Sequence, residues 1–393
     1  MPTPVVVLAA SARALAECTL RSGWQVHAVD AFGDVDTRAA SRRWQHLPLD
    51  RFCDPQQVLE AIAAVVGLDS SSALLLGGGF DGHPQVIAAL AERYRLLGNG
   101  PSVWQAARDD AVFDRLGIPA PEWRREAPES MAGWLLKDRA RAAGYGVWPA
   151  CATHPVRQPL WQRRVRGWPG SLVFVAHAGG VVPVGFNRQW CSPAPGLPYR
   201  FGGVVAAWRW GAAIERMVID WAMVLVASLG LRGVCGLDFI VDAAGRPWAL
   251  EINPRPTASL ELYDRAAPGV VALHVAAVTG GVLPAWQPAA GSAALAVVYA
   301  RRTLQTPAEP PAAARDWPGK ATVAAGQPVC TWHAWAADAP SALRRVCQGA
   351  SRWRRQQELQ TGGLAADAVP YKNTRARRRA AARPGASVPS RST

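Results

Sequence analysis

Short apolar runs alternate with helical stretches at the start of the chain, and this alternation restricts the fold more than any other feature. The runs lie at 5–8, 25–29 and 73–76. A helical stretch at 12–22 separates the first two runs, and Asp30 closes the second. Strands that alternate with helices are typical of a parallel sheet. We therefore predict an α/β domain over residues 1–100.

This region lacks the signatures of a dinucleotide site or a P-loop. The turn after the first run reads Ala9-Ala10-Ser11-Ala12-Arg13, without the glycines that bring the backbone close to a pyrophosphate. The glycine triplet at 77–79 follows a later strand and has the wrong spacing, and no GxxxxGK[ST] motif occurs. A nicotinamide-dependent enzyme is therefore not expected.

Length and composition indicate a folded protein of two or three domains. The chain has 393 residues, of which 50% are hydrophobic and 18% are charged, which argues against general disorder. Its seven cysteines are far apart and form no CxxC, so neither a zinc ribbon nor a disulfide scaffold is expected. No basic segment precedes the first apolar run, and no apolar stretch is long enough to span a membrane. These features predict a cytoplasmic protein with reduced thiols and no signal peptide.

Half of the net charge of +14 comes from the C-terminus. Residues 371–393 hold seven lysines and arginines and no acid, among many Ala, Pro and Ser residues. We predict a disordered basic tail over 361–393. A solvated tail is the favoured interpretation, and nucleic acid is not expected as a partner except through this tail.

The middle of the chain changes to turn-separated strands. Predicted strands lie at 134–136, 160–166, 171–176 and 181–186, and predicted helices at 104–116 and 211–229. Strands separated by tight Gly and Pro turns are typical of antiparallel sheets. Alternating segments at 293–299 and 321–335 predict a small β-rich part near the C-terminus.

Two apolar strands at 233–241 and 247–252 carry acids, and the turn between them predicts a β-hairpin. Asp238 lies in the first strand, and Glu251 and Asn253 lie two residues apart in or beside the second, so that they share a face. Three oxygen ligands would then converge, which suits Mg²⁺ with positions left for phosphate and water. The alternative is a polar outer face on an amphipathic hairpin, but the apolar neighbours of these acids favour a metal site.

The segment Glu251-Ile252-Asn253-Pro254-Arg255, after Gly236-Leu237-Asp238-Phe239, resembles the metal-binding end of the ATP-grasp superfamily, and the resemblance extends over about residues 1–335. Enzymes of this superfamily hold ATP between two α+β subdomains behind a parallel-sheet domain. They phosphorylate a carboxylate and let an amine or another nucleophile displace the phosphate. The resemblance implies a mixed α/β and α+β chain with the ATP-grasp fold. It also implies a ligase that uses ATP and Mg²⁺, forms C–N bonds and releases ADP and phosphate.

The resemblance also implies a domain organisation. A preATP-grasp domain would occupy 1–100, and the ATP-grasp domain would occupy 101–285 with a linker between its subdomains near 160–167. A small β-rich part would follow at 286–360, before the tail.

Three further segments are similar to a narrower group, the predicted ATP-dependent carboligases related to biotin carboxylase. They are 10–13, 30–38 and 97–99. Members of this group occur in bacteria with tetrahydromethanopterin-linked one-carbon metabolism, which implies a role in cofactor biosynthesis for that metabolism.

By this resemblance, Asp238, Glu251 and Asn253 would bind Mg²⁺ or Mn²⁺ beside the β- and γ-phosphates of ATP. Lys137 would contact the α- and β-phosphates, and Arg255 would stabilise the acyl-phosphate. The residues themselves suit these roles, because Lys137 ends an apolar strand and an arginine can bind phosphate or carboxylate as a fork. An ordinary strand-end lysine is the alternative interpretation of Lys137.

The resemblance implies additional contacts to the nucleotide. They involve Arg108, the loop residues Gly144 and Gly146, and the linker residues Gln162, Arg163, Arg164 and Val165, which would reach adenine through their backbone. Three positions depart from the family pattern: Asp138 stands where a proline is common, the loop 142–146 has few glycines, and Arg108 replaces a lysine. A catalytically degenerate nucleotide-binding or scaffold protein is therefore the alternative.

The substrates would be a small-molecule carboxylate and an amine. Candidates for contacting them are Asn187, Arg188, Gln189, Trp190, Ser259 and Glu261, with ordinary surface polarity as the alternative. No Ser/His/Asp or Cys/His spacing indicates an acyl-transfer triad. The sequence leaves the oligomeric state open.

Overall fold

The structure is a computed structural model, which describes residues 4–67, 72–151, 154–265 and 267–361, with side chains as far as 357. The predicted basic tail lies outside the described residues, apart from its first residue. Within the described residues the chain forms three sheets of four or more strands and one two-stranded ribbon.

The N-terminal region is a parallel sheet with helices. Its strands are β1 Val5–Leu8, β2 Val26–Asp30, β3 Arg43–His46, β4 Ala73–Leu76 and β5 Arg95–Leu96. Its helices are α1 Arg13–Arg21, α2 Val35–Ala39, α3 Pro55–Val66 and α4 Pro84–Arg93. The strand order is β3-β2-β1-β4-β5, with every pair parallel. Val5 and Val7 pack into one core and Val6 and Leu8 into another, because both faces of a parallel sheet are covered. The predicted α/β fold of this region is confirmed.

A small antiparallel sheet follows. Two short helices, α5 Pro101–Ala107 and α6 Val112–Arg115, precede the strands β6 Trp123–Arg124, β7 Trp134–Asp138, β8 Val147–Pro149 and β9 Pro159–Arg163. The strand order is β6-β9-β7-β8. The predicted single helix over 104–116 is wrong, because the chain turns after α5. The Asp109 carboxylate accepts the Ala111 N–H at 3.1 Å and so stabilises this turn in place of a continuous helix.

The central sheet has eight antiparallel strands. Five of them are β10 Gly167–His177, β11 Gly180–Cys191, β12 Phe201–Val205, β13 Gly233–Asp242 and β14 Pro247–Asn253. The helix α7 Ala212–Leu229 contacts β10 and β11, and β14 leads into a 3-10 helix, Ala258–Leu262, and then α8 Val270–Thr279. The predicted hairpin is present as β13 and β14, which place Asp238 directly opposite Glu251.

The C-terminal residues complete this same sheet. Their strands are β15 Ser292–Tyr299, β16 Leu304–Gln305, β17 Ala314–Arg315, β18 Thr322–Val323 and β19 Pro328–Ala336, followed by α9 Ala339–Thr361. The full strand order is β14-β13-β10-β11-β12-β15-β19-β17, while β16 and β18 pair separately. The sheet therefore continues across the proposed domain boundary at residue 285, through the pairing of β12 with β15.

Candidate active site

A cavity of about 460 Å³ lies between the small sheet and the central sheet. Nine of the predicted site residues line it: Arg108, Lys137, Gly144, Gly146, Gln162, Asp238, Glu251, Asn253 and Arg255. They come from positions far apart in the chain, and the fold brings them to one cavity because β7 and β9 of the small sheet and β13 and β14 of the central sheet face it. A concave site with a few convergent charged groups is the usual form of a small-molecule site.

The two acids of the hairpin face each other. Asp238 on β13 is directly opposite Glu251 on β14, and a β-bulge follows Asp238. Gln189 donates to Asp238 Oδ1 at 3.0 Å, and the Asn253 amide donates to Asp238 Oδ2 at 3.2 Å. Burial, and then the negative charge of Glu251, raise the pKa of the Asp238 carboxyl to about 7. The pair of carboxylates is therefore a place where a cation would be stabilised.

An arginine from the turn after α5 neutralises part of this charge. Arg108 forms an ion pair with Glu251 Oε1, and its other terminal nitrogen donates to the Arg139 carbonyl at 3.0 Å. The break between α5 and α6 therefore matters, because it leaves Arg108 at the end of a helix where its side chain reaches the acids. Sequence reasoning placed Arg108 near the nucleotide but did not anticipate the contact with Glu251.

The donor set suits a divalent metal with a bound nucleotide. Asp238, Glu251 and Asn253 supply two carboxylates and an amide oxygen on one wall of the cavity. In the described part of the chain, no group of three or more His, Cys, Asp or Glu side chains is placed so that it could hold a metal ion. Mg²⁺ typically takes one or two carboxylates and completes its shell with phosphate and water, so the pair fits it.

Lys137 lies on β7, where the small sheet faces the acids. Burial, more than the charge of Arg108, lowers the pKa of its ammonium, and the charges of Glu251 and Asp238 act in the opposite direction. A buried ammonium gains most from an anionic partner, because burial disfavours its charged form. The surroundings of Lys137 therefore fit phosphate binding better than they fit the alternative, a solvated lysine at the end of a strand.

The loop after Lys137 is folded against the protein. Asp138 accepts backbone N–H groups from Ala140 at 3.1 Å and Gln158 at 3.3 Å. Gly144 has a φ of +74°, and a Cβ there would come within 1.9 Å of the Tyr199 carbonyl oxygen. The loop is thus held by hydrogen bonds and close packing at positions that only glycine allows.

Of the four predicted linker residues, Gln162 lines the cavity, together with apolar neighbours such as Phe113 and Leu160. The Arg163 and Arg164 N–H groups are used by the carbonyls of Glu122 and Gly133. Arg163, Arg164 and Val165 do not line the cavity. A backbone contact from this linker to adenine stays a prediction.

Arg255 is held by a residue that sequence reasoning missed. Asp81, from the loop after β4, binds Nε and Nη2 of Arg255 at 2.8 and 2.7 Å, and both residues line the cavity. The signal was present as the glycine triplet 77–79 that ends the strand just before Asp81. Its spacing excluded a dinucleotide site but did not suggest that the loop reaches Arg255.

The chain resembles known proteins in sequence and in structure. Residues 111–259 match the ATP-grasp domain family. Biotin carboxylase from Campylobacter jejuni superposes with a TM-score of 0.66 at 13% identity, over 86% of this chain and 89% of that one. N5-carboxyaminoimidazole ribonucleotide synthetase from Thermotoga maritima gives 0.64 at 12% identity, over 89% and 98%.

The chain has the ATP-grasp fold. The biotin carboxylase domain of the Hydrogenobacter thermophilus 2-oxoglutarate carboxylase, solved with MgADP and bicarbonate, shares this fold with a TM-score of 0.66 at 13% identity, over 88% of this chain and 89% of that one. No curated protein sequence matches the chain. The fold prediction is therefore confirmed, and at these identities the similarity extends to the fold alone.

The cavity also includes some of the predicted substrate residues. Gln189, Trp190 and Ser259 line it. Asn187 is buried and bonds Ser171 and Tyr263, while Arg188 stacks on an indole outside the cavity.

One further predicted substrate residue lies outside the cavity wall. Glu261, a candidate for substrate contact, instead forms an ion pair with Arg13.

None of the helices in the described ranges is long and apolar enough to cross a membrane.

Proposed function

We propose that the protein is an ATP- and Mg²⁺-dependent ligase that activates a small-molecule carboxylate as an acyl-phosphate, from which an amine then displaces the phosphate. The observation that carries this proposal is the register of the hairpin, which puts Asp238 opposite Glu251 in a cavity that also holds Lys137 and Arg255. Phosphoryl transfer needs positioning and charge neutralisation rather than a protein nucleophile. The residues around this cavity provide groups for both purposes.

The roles of the residues follow from their chemistry. Asp238, Glu251 and Asn253 would hold the metal, which when bound neutralises phosphate charge. Lys137 would bind the phosphates as a point charge, and the loop 139–146 would lie beside them. Arg255 would orient the oxyanion of the carboxylate or its phosphate. Arg108 would exchange its contact with Glu251 for a contact with the nucleotide.

The proposal extends to C–N bond formation with release of ADP and phosphate, in the cytoplasm. Its support is the resemblance of the motif at 236–255 and the fold shared with the biotin carboxylase and synthetase structures. A role in cofactor biosynthesis for one-carbon metabolism rests on the similarity of 10–13, 30–38 and 97–99 to one group of carboligases.

The first test is the thermal stability of the full chain with MgATP. A ligand present at about 100 times its dissociation constant adds ~2.7 kcal/mol, which raises the melting temperature by a few degrees. The rise should require Mg²⁺ and should disappear in Glu251→Gln, because one carboxylate of the metal site is lost. Glu60→Gln is the matched control, since Glu60 is exposed on α3 and bonds Gln56.

Turnover gives the second part of this test. Glu251→Ala should abolish the release of ADP that a carboxylate and an amine together induce, whereas Glu60→Gln should retain it. Substantial Mg²⁺-dependent turnover by Glu251→Ala would remove Glu251 from the metal site.

Two observations favour the second candidate, a degenerate nucleotide-binding or scaffold protein. Arg108 already pairs with Glu251, and the loop after Lys137 is held in place by Asp138. A scaffold protein would keep its melting temperature in millimolar MgATP, and the search would turn to protein partners, whereas a degenerate nucleotide-binding protein would show the rise without release of ADP.

A further inference from the structure

The guanidinium of Arg255 has most of its hydrogens committed. Nε and Nη2 donate to the two oxygens of Asp81, and Nη2 also donates to Asn253 Oδ1 at 3.2 Å. Nη1 has one long contact, to the Pro256 carbonyl at 3.4 Å. Among the contacts of the described residues, Nη1 is therefore the nitrogen that keeps a hydrogen for another partner.

The loop that carries Asp81 is shaped to reach this guanidinium. A Cβ on Gly77 would lie 2.7 Å from the Ala9 Cβ, and Gly79 has a φ of +122°. The Gly78 carbonyl accepts the Ala10 N–H at 2.7 Å, and a Cβ on Gly78 would lie 3.4 Å from the Arg255 Cζ. Each of the three positions thus requires glycine for a different reason. Together the glycines bring the loop backbone against both the N-terminal sheet and Arg255.

Burial makes the contact between Asp81 and Arg255 specific. The Arg255 side chain is 12% exposed and the Asp81 side chain 8%. A desolvated pair with two parallel hydrogen bonds has one geometry, and removing either partner leaves the other charge without compensation. The two residues are 174 positions apart, so the N-terminal domain fixes an arginine of the ATP-grasp domain.

We propose that Asp81 is a positioning residue that holds Arg255 so that its Nη1 edge, and not its Nε/Nη2 fork, meets an oxyanion in the cavity. Arg255 then contacts one oxygen of a phosphate or acyl-phosphate at a time. The ligand part of this inference rests on the proposed function, whereas the geometric part stands on the contacts alone.

The geometric part is tested in the nucleotide-free full chain by NMR with ¹⁵N-labelled arginine. The Nε–H signal of Arg255, identified by its absence in Arg255→Lys, should exchange slowly with water because a carboxylate accepts it. Asp81→Asn should speed this exchange at least several-fold. Asp264→Asn is the matched control, because Asp264 is a buried partner of Arg21 that does not line the cavity. An unchanged Arg255 signal in folded Asp81→Asn would overturn the proposal.

The ligand part is tested by calorimetric titration of inorganic phosphate into the protein saturated with MgADP. Asp81→Asn should weaken phosphate binding about tenfold, which corresponds to ~1.4 kcal/mol, and leave the MgADP affinity unchanged. Asp81→Glu should keep the slow Nε–H exchange but still weaken phosphate binding, because the longer side chain moves the guanidinium. Asp264→Asn should match the wild type in both affinities.

The outcomes separate the two ideas. A wild type that does not bind MgADP would contradict the proposed function, and the NMR experiment would still decide the role of Asp81. Equal phosphate affinities in the wild type and Asp81→Asn, with MgADP bound to both, would overturn the positioning role.

Discussion

The imidazole of His274 is an uncharged part of the core. It lies on α8, where Nδ1 accepts the Val234 N–H at 2.8 Å and Nε2 lies 2.9 Å from the Leu97 carbonyl. Burial lowers its pKa to about 4, although the contact with Leu97 acts in the opposite direction. A neutral ring with one donor and one acceptor satisfies both neighbours, so His274 joins β13 to the end of the N-terminal sheet rather than serving chemistry.

The lowered pKa of His274 predicts that the protein loses stability at acid pH. In the unfolded chain the histidine takes up a proton near its reference pKa of 6.5, whereas in the folded chain it does so only near 4. Between these values the unfolded state binds more protons, so the free energy of unfolding decreases as pH falls, by at most ~1.4 kcal/mol per pH unit. Urea unfolding at several pH values should show a shallower dependence for His274→Gln. Parallel curves for the two proteins would contradict this role.

One carboxylate holds together the two ends of the segment between β7 and β9, which contains β8. Asp138 receives N–H groups of Ala140 and Gln158, the Arg157 N–H at 3.4 Å, and the Arg141 guanidinium at 3.4 Å. The Asp138 side chain therefore accepts backbone N–H groups at the start and end of this segment, in the way that a neighbouring strand would. A proline at this position could supply no such acceptor.

Asp138→Ala should loosen the loop in the free protein. Amide hydrogen exchange over 139–147 should become faster, and MgATP binding should weaken about tenfold, or ~1.4 kcal/mol, because the ligand must then order the loop. Asp242→Ala is the matched control, since Asp242 caps the exposed turn of the β13–β14 hairpin in the same way. Exchange over 139–147 that is equal in both variants and the wild type would show that Asp138 does not organise the loop.

The hairpin and the loop differ in how far the sequence could predict them. Asp238 and Glu251 interrupt apolar strands joined by a short turn, and this local pattern determines their register. The contacts of Arg108 with Glu251 and of Asp81 with Arg255 join residues 143 and 174 positions apart. Such pairs depend on how the sheets pack, which no local pattern records.

One arginine joins three regions of the chain. Arg13 on α1 is 2% exposed and forms ion pairs with Glu261 and Asp316, and with Glu17 on its own helix. Glu261 belongs to the 3-10 helix after β14, and Asp316 to the segment between β17 and β18. The N-terminal region with the parallel sheet, the segment after the β13–β14 hairpin and the C-terminal region therefore share a buried charge network.

Arg13→Met should destabilise the entire protein. It leaves buried carboxylates without their cation, which typically costs about 3–5 kcal/mol. The free energy of urea unfolding, followed by tryptophan fluorescence, measures the effect. Arg246→Met should change stability little, because Arg246 forms an exposed pair with Asp242. A loss for Arg13→Met no larger than for this control would show that the network does not hold the regions together.

The pairing of β12 with β15 also limits how this protein can be divided. A fragment that ended at residue 285 would turn β12 from an interior strand into an edge, with the backbone groups of 203–205 unpaired and the buried Val204 and Val205 uncovered. An open, apolar strand edge invites pairing with another chain. The residues before 286 are therefore not expected to fold as a separate unit, and shortened versions that stop before β15 should aggregate.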